Sequence, residues 1–268
     1  MAHLQQLTFV KTISEHLTRD YRNVKILEIG SYDVNGSIRK FFLNSEYLGA
    51  DLVDGPSVDI ISDGHLLNHK NNTYDITISC ECFEHNPYWF ETFKNMYRMT
   101  KSGGFLIFTC ATKGRIEHGT DRTTPTSSPG TQSVGWDYYY NLQEKDFTDK
   151  IDLSEIFDHF LFLTNNDSKD LYFVGKKFGE DGKFKFNKKK FIEEHFQAQN
   201  SLKLKFNNSP LKRTINFIKF VVLIPVSIAS YLPQNHFHNS TVIYVKVLKY
   251  LRSKINSIKN KIKKCNFF

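Results

Sequence analysis

The chain has 268 residues, 40% of them hydrophobic and 24% charged, with a formal net charge of +8. That content supports a buried core and excludes a wholly disordered chain, leaving one large domain or one domain with an appendage. The cysteines Cys80, Cys82, Cys110 and Cys265 form no even, spaced framework, which excludes a disulfide scaffold; with no signal-peptide pattern at the start, a reducing cytoplasmic setting is expected.

The charge is divided unevenly. Residues 178–268 carry 18 Lys and Arg against 4 acids, a balance of +14, while residues 1–177 carry 18 against 24, a balance of −6. An acidic front and a basic tail indicate two parts with different partners, so we divide the chain into a domain over 1–177 and an extension over 178–268.

Leu4, Leu7, Val10, Ile13, Leu17 and Tyr21 recur every three or four residues and predict an amphipathic helix. Val24, Ile26, Leu27 and Ile29 then form a short apolar run that reads as a buried parallel strand. Gly30 permits a turn without a Cβ, and Asn35-Gly36 supplies a second bend before a helix expected from Ser37 through Leu43. Strand, glycine turn and helix together present free backbone N–H groups to a nucleotide-like ligand. Tyr47–Asp51 is the second strand, with Asp51 placed about 20 residues on, where an acid accepts ribose hydroxyls.

Val58–Ile61 is a third strand and Asp75–Ser79 a fourth, followed by a helix from Pro87 to Thr100. Ser102-Gly103-Gly104 ends that helix and starts a fifth strand, Phe105–Thr109. Residues 111–146 are long, polar and rich in Thr, Ser, Pro and Gly, the character of a lid or binding segment. Asp146–Phe157 reads as helix, and Phe160–Leu163 with Leu171–Val174 as a closing hairpin across Asn165-Asn166-Asp167. The alternation predicts an α/β, Rossmann-like, doubly wound and mostly parallel seven-stranded sheet covered on both faces, with a basic, partly helical C-terminal extension.

Several segments, in order, resemble the class I S-adenosylmethionine-dependent methyltransferases of the type-11-like subgroup. They are Glu28-Ile-Gly30 with Asn35-Gly36-Ser37, Tyr47–Asp51, Gly55–Asp59 and Tyr74–Ser79. The series continues through Glu84-His85-Asn-Pro-Tyr-Trp89, Arg98–Gly104 and Glu117-His118-Gly-Thr120, so that it spans residues 24–175. The resemblance implies S-adenosylmethionine as cofactor, with Glu28 and Gly30 at its methionine end, Asp51 on the ribose and Asp63 on the adenine amino group. It adds Ser31, Leu52 and Gly64 as neighbours in the cofactor set, and Ser79 and Cys80 as pocket lining after the fourth strand. Ser31-Tyr32-Asp33-Val34 is bulkier than the small-residue loop of the family pattern, and such a loop would crowd a pyrophosphate. Tyr97 and Lys101 have the spacing of a nicotinamide proton relay but sit at a helix end, so we read that spacing as chance.

Methyl transfer is an in-line displacement in which positioning supplies much of the rate, and a base helps when the acceptor is a hydroxyl. His85, after the fourth strand, and His118, early in the lid, are the candidates; in the plainer reading they brace a helix start and the lid backbone. Cys80, Cys82 and His85 lack the closing pair of a zinc site, and no metal is expected. Trp136 and Tyr138–Tyr140 either stack on a ring in the acceptor or pin the lid.

In the tail, Lys183-Phe-Lys-Phe and Lys188–Lys190 open a segment with little sign of its own core. Phe217–Leu232 is apolar but interrupted by Lys219 and Pro225, too short to cross a bilayer and suited to lying at its interface. Beyond it Val247 or Leu248, Leu251, Ile255, Ile258 and Ile262 step by three and four among lysines, a basic amphipathic helix of the kind that rests on anionic lipid. The function expected is methyl transfer to a small or glycan-like acceptor, in surface-polysaccharide metabolism, at the inner face of the membrane through residues 210–268. The alternatives are an RNA methyltransferase using the tail as a nucleic-acid arm, and a scaffold that has lost catalysis. Oligomeric state is not legible.

Overall fold

The computed structural model describes residues 3–18, 23–179, 184, 186–206 and 208–265. Helix α1 spans Leu4–Thr18, and its spacing buries Phe9, Val10, Ile13 and Leu17; Tyr21, counted in the same pattern, lies outside the described residues. Strand β1, Val24–Ile29, buries every side chain except Lys25. No α-helix follows the glycine turn. A 3-10 turn at Arg39–Phe41 takes its place, because Asp33 accepts from Gly36 N–H and Ser37 accepts from Arg39 N–H, and such local bonds compete with helix formation.

Strand β2 is Ser45–Asp51 and β3 is only Ile60–Ile61. The third strand is shorter than its apolar pattern predicts because Asp59 replaces a ladder bond. Its carboxylate accepts from Gly49 N–H at 2.7 Å while its own N–H donates to the Gly49 carbonyl at 2.8 Å. Strand β4, Tyr74–Cys80, is followed by α2, Trp89–Met99, and by β5, Thr100–Ala111. The lid segment holds a short helix α3, Pro129–Ser133. The single helix expected over 146–157 is instead two, α4 at Glu144–Thr148 and α5 at Leu153–Ile156, the second restarted by Asp152 accepting from Ser154 N–H. The hairpin forms as expected from β6, Phe157–Asn165, and β7, Asp170–Lys177.

The seven strands lie in the order β3-β2-β1-β4-β5-β7-β6, parallel through β5 and antiparallel at β7 and β6. This is a doubly wound, Rossmann-like α/β fold. One face packs Ile26, Ile76, Ile78, Ile107 and Val174 against α1. The other packs Leu27, Leu106, Phe108 and Phe173 against Phe93, Met96 and Met99 of α2 and Phe147 of α4. The order reverses between β1 and β4, and at such a switch point the carboxyl ends of the strands open a crevice.

The basic extension is not uniform. Helix α6, Lys188–Phe206, joins the core: Phe191 and His195 are buried against Phe9, and Gln199 donates to the Gln5 carbonyl at 2.9 Å. Lys183 and Lys185, at its approach, lie outside the described residues. Helix α7, Pro210–Ala229, carries Pro225 inside it and exposes Phe217, Ile218, Phe220, Leu223, Ile224 and Ile228. Helix α8, Gln234–Cys265, buries Phe237, His238, Thr241 and Val242 near its start. The side chains of Arg252 and 255–265, which carry much of the expected amphipathic pattern, lie outside the described residues. Among the described residues no helix is long and apolar enough to cross a membrane.

Candidate active site

The crevice at the switch point is an open cleft walled by the loops after β1 and β4 and by lid residues. Its first wall is the loop after β1, from Gly30 to Ile38. Gly30 has φ +81, and a Cβ there would stand 2.7 Å from Cys82 Cβ, so glycine is needed both for the turn and for the approach of the β1 and β4 loops. Tyr32 turns its ring onto Gly55, where a Cβ would fall 2.2 Å from the ring, and Asp33 N–H donates to the Pro56 carbonyl at 2.9 Å. The bulky loop is thereby fastened sideways and leaves the crevice beside Gly30 open.

Asp51 ends β2 with its carboxylate at the cleft, accepting from Tyr32 N–H at 2.9 Å and Leu52 N–H at 2.7 Å. Burial raises its pKa against those two bonds. Glu28 forms part of the cleft surface and is buried; burial pushes its carboxyl up to about 8, although Tyr47 donates its hydroxyl to it at 2.7 Å. Ser31 also lines the cleft, with a buried hydroxyl that has no hydrogen-bond partner among the described residues.

The opposite wall is the loop after β4. Glu81 adopts φ 53, a strained conformation for a side-chain-bearing residue, and its N–H donates to the Thr109 carbonyl at 2.8 Å. Cys80, Glu81, Cys82 and His85 line the cleft from this side. Behind His85 stand Glu84 and His118, so that the three offer ligand atoms all within 4.8 Å of one another. Burial drives His85 well below its ordinary pKa, takes His118 down to about 4, and raises Glu84 to about 8. The His85 and His118 ring centroids are 4.9 Å apart, and Tyr139 stands edge-on to both.

The lid closes the third side. Ser127, Ser128, Pro129, Gly130 and Thr131 border the cleft, and a Cβ on Gly130 would lie 2.8 Å from Asp51 Oδ1.

Of the residues expected at the site, the structure brings Glu28, Gly30, Ser31, Asp51, Cys80 and His85 to one cleft. Leu52 follows Asp51 but is not among the lining residues, and Ser79 is wholly buried within β4. Asp63 is engaged by His65, whose Nδ1 is 2.6 Å from Oδ1 and whose N–H donates at 3.2 Å, and Gly64 packs against Ile29 and Thr92. His118 reaches the site through His85 rather than by facing the cleft. Trp136 meets Tyr88 at 5.5 Å, and Tyr88 stacks on His65 at 4.2 Å. Sequence reasoning missed Gln6 of α1, Glu84, and the lid residues 127–131. Glu84 was readable as an acid beside His85 in the motif after β4; Gln6 gave no signal, because its place at the cleft depends on how α1 lies on the sheet.

These features define a nucleotide-type cofactor cleft of the doubly wound class. Residues 44–108, from the start of β2 to β5, match the family described as "Methyltransferase domain". Over that stretch the chain is similar to a methyltransferase domain. No protein of curated function matches it. Among solved structures it is similar to the CurJ carbon methyltransferase, at 15% identity and TM-score 0.46 over 65% of this chain, and it spans about half, 54%, of that one. It is also similar to the Burkholderia thailandensis 1,6-didemethyltoxoflavin-N1-methyltransferase bound to 1,6-didemethyltoxoflavin and S-adenosylhomocysteine, at 10% identity and TM-score 0.45 over 65% of this chain and 80% of that one. A third is the N-methyltransferase NodS of Bradyrhizobium japonicum with S-adenosylhomocysteine, at 12% identity and TM-score 0.42 over 63% and 85%.

The residues present fit the cofactor. The ammonium and carboxylate of S-adenosylmethionine need buried polar partners, which the Glu28 carboxyl and the Ser31 hydroxyl would supply; its ribose needs an acceptor, for which Asp51 has lone pairs beyond its two backbone bonds.

Proposed function

We propose that this protein transfers the methyl group of S-adenosylmethionine to a small or glycan-like acceptor at the cytoplasmic face of a membrane. The observation that carries the reading is the convergence of Glu28, Gly30, Ser31, Asp51 and His85 on one cleft at the switch point of a methyltransferase domain. The bound cofactor supplies an electrophilic methyl on a sulfonium. Asp51 and the Gly30 loop hold its adenosine and methionine ends, so that the acceptor arrives from the side of His85. The acceptor atom would take the methyl carbon as the carbon–sulfur bond gives way, and the acceptor's proton would then need a group to receive it. His85 and His118 are the groups beside that point, and they are placed to draw the proton away. The lid residues 127–131 and Tyr139 keep water from competing.

The glycan acceptor rests on the resemblance alone, since members of that subgroup often act among surface-polysaccharide enzymes. Residues 1–177 together with α6 form the catalytic body in this reading, and α7 with α8 the attachment. Lipid is favoured over RNA as the partner of the attachment because the exposed face of α7 is apolar: Phe217, Phe220, Leu223, Ile224 and Ile228 have nothing to offer a phosphate. A scaffold without catalysis is disfavoured by Asp51 at the cleft and by the histidine pair.

Calorimetry with S-adenosylhomocysteine tests the core of the reading. Wild type gives a binding isotherm and Asp51→Ala gives none; no heat with the wild type would overturn it. A panel of glycans with a radiolabelled methyl donor then identifies the acceptor.

A further inference from the structure

Glu84, His85 and His118 form a cluster that the methyl-transfer reading leaves incomplete. Both Glu84 oxygens, both His85 nitrogens and His118 Nε2 are buried with no hydrogen-bond partner among the described residues. Buried polar atoms are almost always paired, and orphans on three residues, one ligand atom of each within 4.8 Å of the others, point to a ligand that joins them. The tautomer of His118 agrees. Its Nδ1 lies 3.1 Å from the Ile116 carbonyl, which can only accept, so Nδ1 carries the proton and Nε2 offers a lone pair.

The chain is shaped to bring these groups together. Gly119 has φ +73, and a Cβ there would stand 2.7 Å from His85 Cε1, so glycine is required for the His118 loop to close on His85. Tyr139 backs both rings, at 5.3 Å from His85 and 5.0 Å from His118.

A neighbouring cluster is different. His3, Glu81 and Asp170 also converge, but His3 pairs with Asp170 at 3.0 Å and Arg115 with Asp170 at 3.1 Å, so its charges are already matched.

We infer that Glu84, His85 and His118 bind one divalent transition-metal ion at the acceptor end of the cleft. Two imidazoles and one carboxylate suit Zn(II), Fe(II), Co(II) or Mn(II), and three protein ligands leave positions open for substrate oxygen. The donors now lie within 4.8 Å of one another, and ligand bonds of about 2.0–2.2 Å would draw them inward by about an ångström. Because His85 also lines the cleft, the ion would meet the acceptor there. It would coordinate the acceptor hydroxyl and lower the cost of its proton. With the ion bound, His85 and His118 act as its ligands in place of acting as bases, and the proton passes to solvent as the oxygen–methyl bond forms and the carbon–sulfur bond breaks. That purpose rests on the methyltransferase reading; the binding does not.

The test uses the full chain stripped with a chelator and titrated with Co(II), followed by visible absorption and calorimetry, with S-adenosylhomocysteine titrated in parallel. One equivalent of Co(II) with ligand-field bands is expected, and Glu84→Gln and His118→Ala should each weaken it by about 10- to 100-fold while still binding S-adenosylhomocysteine, which shows that they fold. Absence of bands in a wild type that binds S-adenosylhomocysteine overturns the metal site and leaves the methyltransferase reading standing. Co(II) affinity unchanged in both variants also overturns it. Co(II) bound without any S-adenosylhomocysteine heat upholds the site and removes its catalytic purpose.

Discussion

Gln234, in the first turn of α8, closes two hydrogen bonds on the backbone of Asn141: it accepts from the Asn141 N–H at 2.6 Å and donates to the Asn141 carbonyl at 3.0 Å. Asn141 is 1% exposed, and its own side chain donates to the Arg115 carbonyl at 2.8 Å. Arg122 adds a bond to Asn239 at 2.6 Å, and Tyr139 meets His238 at 5.2 Å. Helix α8 is thus tied to the segment that carries His118 and Tyr139. Gln234→Ala leaves a buried backbone N–H and carbonyl without partners, at about 1–3 kcal/mol each. Faster hydrogen exchange across 115–142 than in β1 is the expected outcome; uniform exchange would count against the coupling.

Gly130 governs the lid over Asp51. With 2.8 Å between a would-be Cβ and Asp51 Oδ1, Gly130→Ala forces α3 away from the Asp51 end of the cleft. S-adenosylhomocysteine affinity should fall by about tenfold or more, the equivalent of about 1.4 kcal/mol, with the melting temperature little changed. Calorimetry and thermal melting of the same sample separate the two effects.

His3 makes stability depend on pH. Burial works to lower its pKa, but its bonds to Asp170 and Glu81 outweigh burial and hold it at about 9. Burial would push Glu81 up, and the partners starting with His3 hold it well below the usual carboxylate range instead. A histidine raised from 6.5 to about 9 contributes its full stabilisation below about pH 6.5 and loses it as pH rises through 9. The size is of order 3 kcal/mol at most. Urea titrations at pH 6 and pH 9.5 should show a large gap between wild type and His3→Gln at the lower pH and a small one at the higher.

Membrane attachment is best probed by point changes, because removing residues 210–268 also removes Gln234 and disturbs the lid. Ile224 and Ile228 are exposed at 40% and 68%, so Ile224→Asp with Ile228→Asp should leave folding intact. Flotation with anionic vesicles should drop severalfold in that variant and in high salt. Equal flotation in all cases would show that α7 does not meet lipid.

The local chemistry of this chain is written in its sequence. The apolar run Val24–Ile29, Gly30 at φ +81 and Asp51 at the end of β2 follow from short-range constraints: strand periodicity, the absence of a Cβ, and an acid at fixed spacing. Even the departures have local causes, such as Asp33 and Ser37 dissolving the helix expected after Gly36, or Asp59 shortening β3. Tertiary structure decided which of the chemically capable residues meet. Asp63 went to His65 and not to the cleft, while Gln6 reached it from α1. Glu84, His85 and His118 were joined across a gap that no spacing rule spans. The reason is physical: a strand or turn is fixed by contacts between near neighbours, whereas a site is fixed by how whole elements pack, and α1, the lid and α8 take their places only once the sheet exists to receive them.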